Sequence, residues 1–190
     1  MAQAKTLSTS ELRRVLAYVA AHPHADRNRA IVLMSHWAGM RAKEIAALRY
    51  CDVLTPSGAV KEEIHLSAEQ TKGRYARTVY IGGKLQKELA AYVRAVPSKS
   101  AEAPLFPTQK CPTRGFTANT LAQWFLQLYR KAGIEGASSH SGRRSYLTTL
   151  ANKGTSIHIL KSLAGHRSIN TTAVYLYSSP AQLKAAADLI

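Results

Sequence analysis

Acidic residues are scarce in this sequence. It has 11 Asp and Glu against 26 Lys and Arg over 190 residues, a net charge of +15 with histidine neutral. No cluster of carboxylates is present that could hold two magnesium ions, so phosphoryl chemistry of the two-metal kind is excluded. The two cysteines, Cys51 and Cys111, are too few for a disulfide framework or a four-cysteine zinc site, and they fit a reducing compartment. His22 and His24 flank a proline and lie too close to be two ligands on one helical face, so no metal site is expected. No apolar run approaches the ~20 residues of a membrane span, and the polar first ten residues hold no signal-peptide core. Neither a P-loop nor a dinucleotide-binding glycine loop occurs, and no nucleotide or other cofactor is expected.

What is abundant is positive charge on a globular composition. Hydrophobic residues make up 46%, enough for a core and too many for a disordered basic tail. The basic residues are spread through periodic segments, which points to a folded surface that grips phosphates. Nucleic acid is the leading partner, with an anionic membrane surface second.

Periodicity predicts a mainly α fold with one small antiparallel sheet. Helices are expected over 8–22, with Ser8 and Glu11 as a capping box, and over 26–38, capped by Asp26. A short helix follows over 42–49, with Ile45 and Leu48 inward. Strands are expected at 60–66 and 77–81, then a helix at 84–95 and a proline-marked loop over 97–116. Further helices are expected at 118–131, 139–152 and 156–164, a turn or two capped by Asn170, and a last short helix from Ser179-Pro180. The whole chain, 1–190, reads as a single domain.

Several stretches carry chemically capable residues. His140 and Arg143, three apart at a helix start, share a face where a phosphate could sit. Arg41 follows Gly39, Lys72 lies in a basic turn, and His166 follows Gly165 with Tyr175 nine residues on. Singly, each has an ordinary explanation as a cap, an exposed cation or a packed aromatic.

Together they resemble the tyrosine recombinase (phage integrase) family. The matching pieces are Gly39-Met40-Arg41-Ala42-Lys43-Glu44-Ile45, then Thr71-Lys72-Gly73 with Arg77 and Val79, and His140-Ser141-Gly142-Arg143. Leu163-Ala164-Gly165-His166 and Thr171-Thr172-Ala173-Val174-Tyr175 complete the order. Gly142 and Arg144 depart from the family pattern, where an apolar residue and a second histidine are common.

The resemblance implies the tyrosine recombinase catalytic-domain fold, with the family's N-terminal core-binding domain absent. It implies metal-free DNA strand cleavage and rejoining through a 3′-phosphotyrosine. Tyr175 would be the nucleophile, rather than Tyr177, and Arg41, Arg143 and His166 would hold the phosphate oxygens. Lys72 would protonate the leaving 5′-oxygen, and His140 would be an acid/base or a phosphate ligand. Glu44 would orient an active-site cation, or else be an ordinary intrahelical partner of Arg41. Lys43, Arg74, Arg77, Arg144 and Arg167 are the further expected DNA contacts. Double-stranded DNA is the expected partner, with a homotetramer on DNA and a monomer or weak oligomer without it, in the cytoplasm at the nucleoid. The alternatives are a type IB topoisomerase-like enzyme and a non-catalytic DNA-binding relative.

Overall fold

The computed structural model describes residues 4–71, 73–98, 100–176, 184, 187 and 188. The first helix, α1 (Thr9–Ala20), begins at the predicted capping box. The Ser8 hydroxyl accepts from the Glu11 N–H at 3.2 Å, and the Ser8 N–H donates to the Glu11 carboxylate at 2.9 Å. Leu12, Val15 and Val19 form its buried stripe. The next helix, α2 (Ala25–Trp37), is buried along most of its length, from Ala30 to Ser35. Its N-cap is His24, in the left-handed region at φ 61, not Asp26 as expected; Asp26 sits in the first turn, where a carboxylate still complements the helix dipole.

The expected 42–49 helix ends early, as α3 (Ala42–Ala46), and a second short helix that was not expected, α4 (Tyr50–Val53), follows it. The break has a tertiary cause. The backbone of residues 48–51 bonds to the loop after the next helix, through Leu105 N–H to Leu48 O, Tyr50 N–H to Ala103 O and Cys51 N–H to Ala101 O. The two strands, β1 (Glu63–Leu66) and β2 (Arg77–Tyr80), are shorter than predicted and pair antiparallel, with Ile64 opposite Val79. Ile64, Leu66 and Val79 face the core, while His65 and Tyr80 lie on the exposed face.

Helix α5 (Gly83–Ala95) buries Leu85, Leu89 and Tyr92. The long loop that follows is anchored by Leu105 and Phe106, both buried, and by the Tyr92 hydroxyl, which donates to Leu105 O at 2.6 Å. Helix α6 (Ala118–Lys131) packs on α3 and stops before Gly133 at φ 70. Helix α7 (Ser141–Asn152) carries the boundary between two compact units, Met1–Tyr146 and Leu147–Ile190.

In the second unit, α8 (Ile157–Ala164) is capped by Ser156 and ends on Gly165 at φ 58, a left-handed turn that glycine adopts without strain. It packs on α9 (Ile169–Ala173), whose N-cap is Ser168 rather than the expected Asn170. The Ser168 side chain accepts from the Asn170 N–H at 3.2 Å, so the cap lies two residues upstream of the expected one. The helix expected from Ser179-Pro180 lies almost wholly outside the described residues.

Candidate active site

Arg41 precedes the first turn of α3, and Glu44 lies one turn in. The Arg41 N–H donates to Glu44 Oε2 at 2.7 Å, and Arg41 Nη1 donates to Oε1 at 2.9 Å. From β2, Arg77 adds a fork: Nε donates to Glu44 Oε1 at 3.0 Å and Nη2 to Oε2 at 2.8 Å. Glu44 is fully buried between these two arginines. Burial alone would raise its pKa, but the guanidiniums of Arg77 and Arg41 and the Arg41 N–H bring it below the ordinary glutamate value. The two arginines are therefore fixed by one carboxylate, which leaves the cluster with a net positive charge. The side chain of Arg77 is 8% exposed and is engaged with Glu44.

Arg143 reaches the same neighbourhood from α7. It is buried, and Nη1 donates to the carbonyl oxygen of Gly39 at 2.7 Å, two residues before Arg41. The approach of α7 explains Gly142. A Cβ there would stand 2.4 Å from Ser35 Oγ and 2.9 Å from Ser35 Cβ, so α7 meets α2 where only glycine fits. Ahead of α7, Ser138 and Ser141 close a turn: the Ser138 N–H donates to Ser141 Oγ at 2.9 Å, and the Ser141 N–H donates to Ser138 O at 2.9 Å. His140 within it is exposed, at the positive end of the helix. Three guanidiniums, one carboxylate and a helix N-terminus are a set suited to an oxyanion, because arginine is always charged and offers paired donors.

The other basic residues divide by surroundings. Lys43 donates from Nζ to Thr71 O at 2.7 Å, which ties α3 to the β1–β2 turn. Arg74 in that turn is exposed, with a left-handed backbone at φ 55. Lys72 lies outside the described residues. Arg144 is half-buried, and Arg167 is exposed.

In the second unit, His166 follows the left-handed Gly165 and so leaves the axis of α8. Its Nδ1 is hydrogen-bonded to the Thr172 hydroxyl at 2.9 Å, and Thr172 is fully buried. The ring of Tyr175 stacks on that of His166, with centroids 6.0 Å apart and an interplanar angle of 14°. The Tyr175 N–H donates to Thr172 O at 3.0 Å, so one residue of α9 holds both aromatic groups. Tyr177, the rival nucleophile, lies outside the described residues.

Neither Thr172 nor the Gly39 carbonyl has a role that spacing or residue type alone assigns. The Thr172 signal was a hydroxyl six residues after a histidine; the Gly39 contact had none, because 104 positions separate it from Arg143. Among the described residues, no group of three His, Cys, Asp or Glu side chains could hold a metal ion, and no helix is long and apolar enough to cross a membrane.

Comparison with known proteins adds a lineage. The sequence model of the Phage integrase family matches residues 5–182. Tyrosine recombinase XerA of Thermococcus kodakarensis is 30% identical over 173 residues, which are 90% of this chain and 57% of the relative. The structure is similar to that of the XerH site-specific recombinase bound to its difH substrate before cleavage, with a TM-score of 0.68 and 25% identity over 96% of this chain and 53% of that one. It shares the fold of the catalytic domain of bacteriophage HP1 integrase, with a TM-score of 0.68 and 22% identity over 98% of this chain and 95% of that one. The chain spans about half the length of the curated relatives it matches.

Proposed function

The chain belongs to the phage integrase family, and on that basis we propose that it is a site-specific DNA recombinase that cuts and rejoins strands through a 3′-phosphotyrosine. The observation that carries the reading is the Tyr175 phenol stacked on His166 in a chain of net charge +15. A phenol with an ordinary pKa near ~10 is a weak nucleophile until a base or a positive field assists it.

In the proposed reaction the Tyr175 oxygen attacks the scissile phosphorus and its proton passes to His140. The bond from phosphorus to the 5′-oxygen breaks, and Lys72 gives that oxygen a proton, releasing a 5′-hydroxyl. The bond energy is retained in the phosphotyrosine, so a 5′-hydroxyl from another strand can attack it and rejoin. Arg41, Arg143 and His166 stabilise the charge that gathers on the non-bridging oxygens. Glu44 holds Arg41 in place, and no metal or other cofactor enters. Lys43, Arg74, Arg144 and Arg167 contact DNA phosphates, double-stranded DNA being the partner; the XerH recombinase is seen bound to its difH substrate. On DNA the chain acts as a homotetramer, in the cytoplasm at the nucleoid.

The test is a nicked suicide duplex carrying the cognate site, with EDTA present. The wild-type chain is expected to form a covalent adduct on a 3′-phosphate that maps to Tyr175. Tyr175→Phe should abolish the adduct and leave DNA binding nearly intact, and Tyr177→Phe should keep it. An adduct that survives Tyr175→Phe would refute the assignment, and binding without any adduct would favour a non-catalytic relative.

A further inference from the structure

Away from the groups used above, the first unit holds a cleft of about 200 Å³ between the start of α2, the end of α5 and the long loop. Its walls include Tyr92, Val96, Pro107 and Pro112, and Arg27 lines it. Arg27 is 7% exposed. A guanidinium so deeply buried ordinarily faces a carboxylate, because a lone buried charge is costly. Here it has none among the described residues. Nε and Nη2 donate to Asn28 Oδ1 at 3.2 and 3.0 Å, and Nη1 donates to Pro107 O at 2.8 Å. The cation also lies 5.2 Å from the centre of the Phe116 ring. All of these partners are neutral.

Arginine has five N–H groups. Three are used, which leaves one on Nη1 and one on Nη2 for a ligand. Burial pulls the guanidinium pKa below the ordinary arginine value, which is the expected mark of a charge without its counter-ion. Asp26, at the exposed rim, lines the same cleft and opposes a multiply charged anion.

We propose that this cleft is a binding site for a small organic carboxylate with a flat apolar body. One negative charge matches one guanidinium with two open donors. The proline, valine and tyrosine walls accept the body. A phosphate dianion would meet Asp26 and leave most of its oxygens without donors. Nothing in the proposed recombination chemistry uses these residues, so the site stands or falls independently of that reading.

The test titrates the full chain with benzoate, benzamide and inorganic phosphate and follows its backbone amide resonances. Benzoate should give saturable shifts centred on Arg27, Thr108 and Gln109. Benzamide, of the same shape without the charge, should bind at least about tenfold more weakly, the worth of a charged hydrogen bond. Arg27→Gln should abolish the shifts. Because that variant also touches the core, two exposed positions carry the test further: Asp26→Asn should tighten benzoate severalfold, and Gln109→Glu should weaken it. The proposal is overturned if benzoate fails to saturate, if benzamide binds as well, if phosphate binds more tightly than benzoate, or if the two surface variants leave benzoate affinity unchanged.

Discussion

Arg143 Nη1 and the carbonyl oxygen of Gly39 are 2.7 Å apart. That bond joins the first turn of α7 to the turn that delivers Arg41, so the two arginines are set by one piece of backbone. The turn itself depends on glycine. Gly39 has φ +63, and a Cβ there would stand 2.5 Å from Tyr146 Cδ1. Gly39→Ala should therefore destabilise the protein by about 2 kcal/mol or more, through left-handed strain and overpacking together. Thermal and urea unfolding measure it, and a loss under about 0.5 kcal/mol would show that the turn relaxes freely.

Glu44 gives a second prediction. Its folded pKa is lowered, so its contribution to stability is present above the unfolded carboxylate pKa of ~4.3 and is lost as pH falls through the lower folded value. Glu44→Gln keeps the shape and removes the charge between Arg41 and Arg77. It should cost about 3 kcal/mol at neutral pH, the scale of a broken buried ion pair. It should cost less in acid, where the wild-type carboxyl is itself protonated. Urea unfolding from pH 7 downward reads both effects, and equal losses at all pH values would contradict the charge argument.

His36 predicts a different window. Burial lowers its pKa to about 4, and its Nδ1 has no hydrogen-bond partner among the described residues. The unfolded histidine, near ~6.5, takes up a proton that the folded one refuses. Its contribution is therefore complete above pH ~6.5 and is lost as pH falls towards 4, up to about 3 kcal/mol. His36→Leu should flatten stability across that range. A wild-type and variant pair with parallel pH curves would remove His36 from the account.

These groups show where sequence was a good guide. Local rules act over a few residues, so the Ser8–Glu11 box, the glycine stop at Gly165 and the Arg41–Glu44 pair were all legible from spacing. Asp26 and Asn170 failed as caps for a related reason: several polar residues compete at a helix start, and backbone geometry chose His24 and Ser168. The break between α3 and α4 could not be read, because its cause is hydrogen bonding to residues about fifty positions away. The same holds for the Arg77–Glu44 fork and for Arg27, whose burial without a counter-ion is a tertiary fact.

The charge of +15 predicts the salt response. If roughly six or more phosphates are contacted, affinity for duplex DNA should fall by about 10³ or more between 50 and 200 mM salt, through release of condensed counter-ions. Filter binding or anisotropy on a non-specific duplex is enough to measure it. A flat response would mean that the basic residues do not form the DNA surface.

Thr172 supplies the last prediction. Its buried hydroxyl bonds His166 Nδ1 at 2.9 Å, and its carbonyl accepts from the Tyr175 N–H. Thr172→Val keeps the shape and the backbone bond but leaves the imidazole without that partner. One neutral hydrogen bond is worth about 0.5–1.5 kcal/mol, which corresponds to roughly two- to tenfold in rate if it is lost in the transition state. Adduct formation on the suicide duplex should slow by that factor, and its pH profile should shift as the histidine ring loses its fixed orientation. Thr172→Ser restores the hydroxyl and should recover most of the rate. DNA affinity should not change in either variant, because neither alters the charge. If Val and Ser slow the reaction equally, the methyl packing of Thr172 matters and the hydrogen bond to His166 does not.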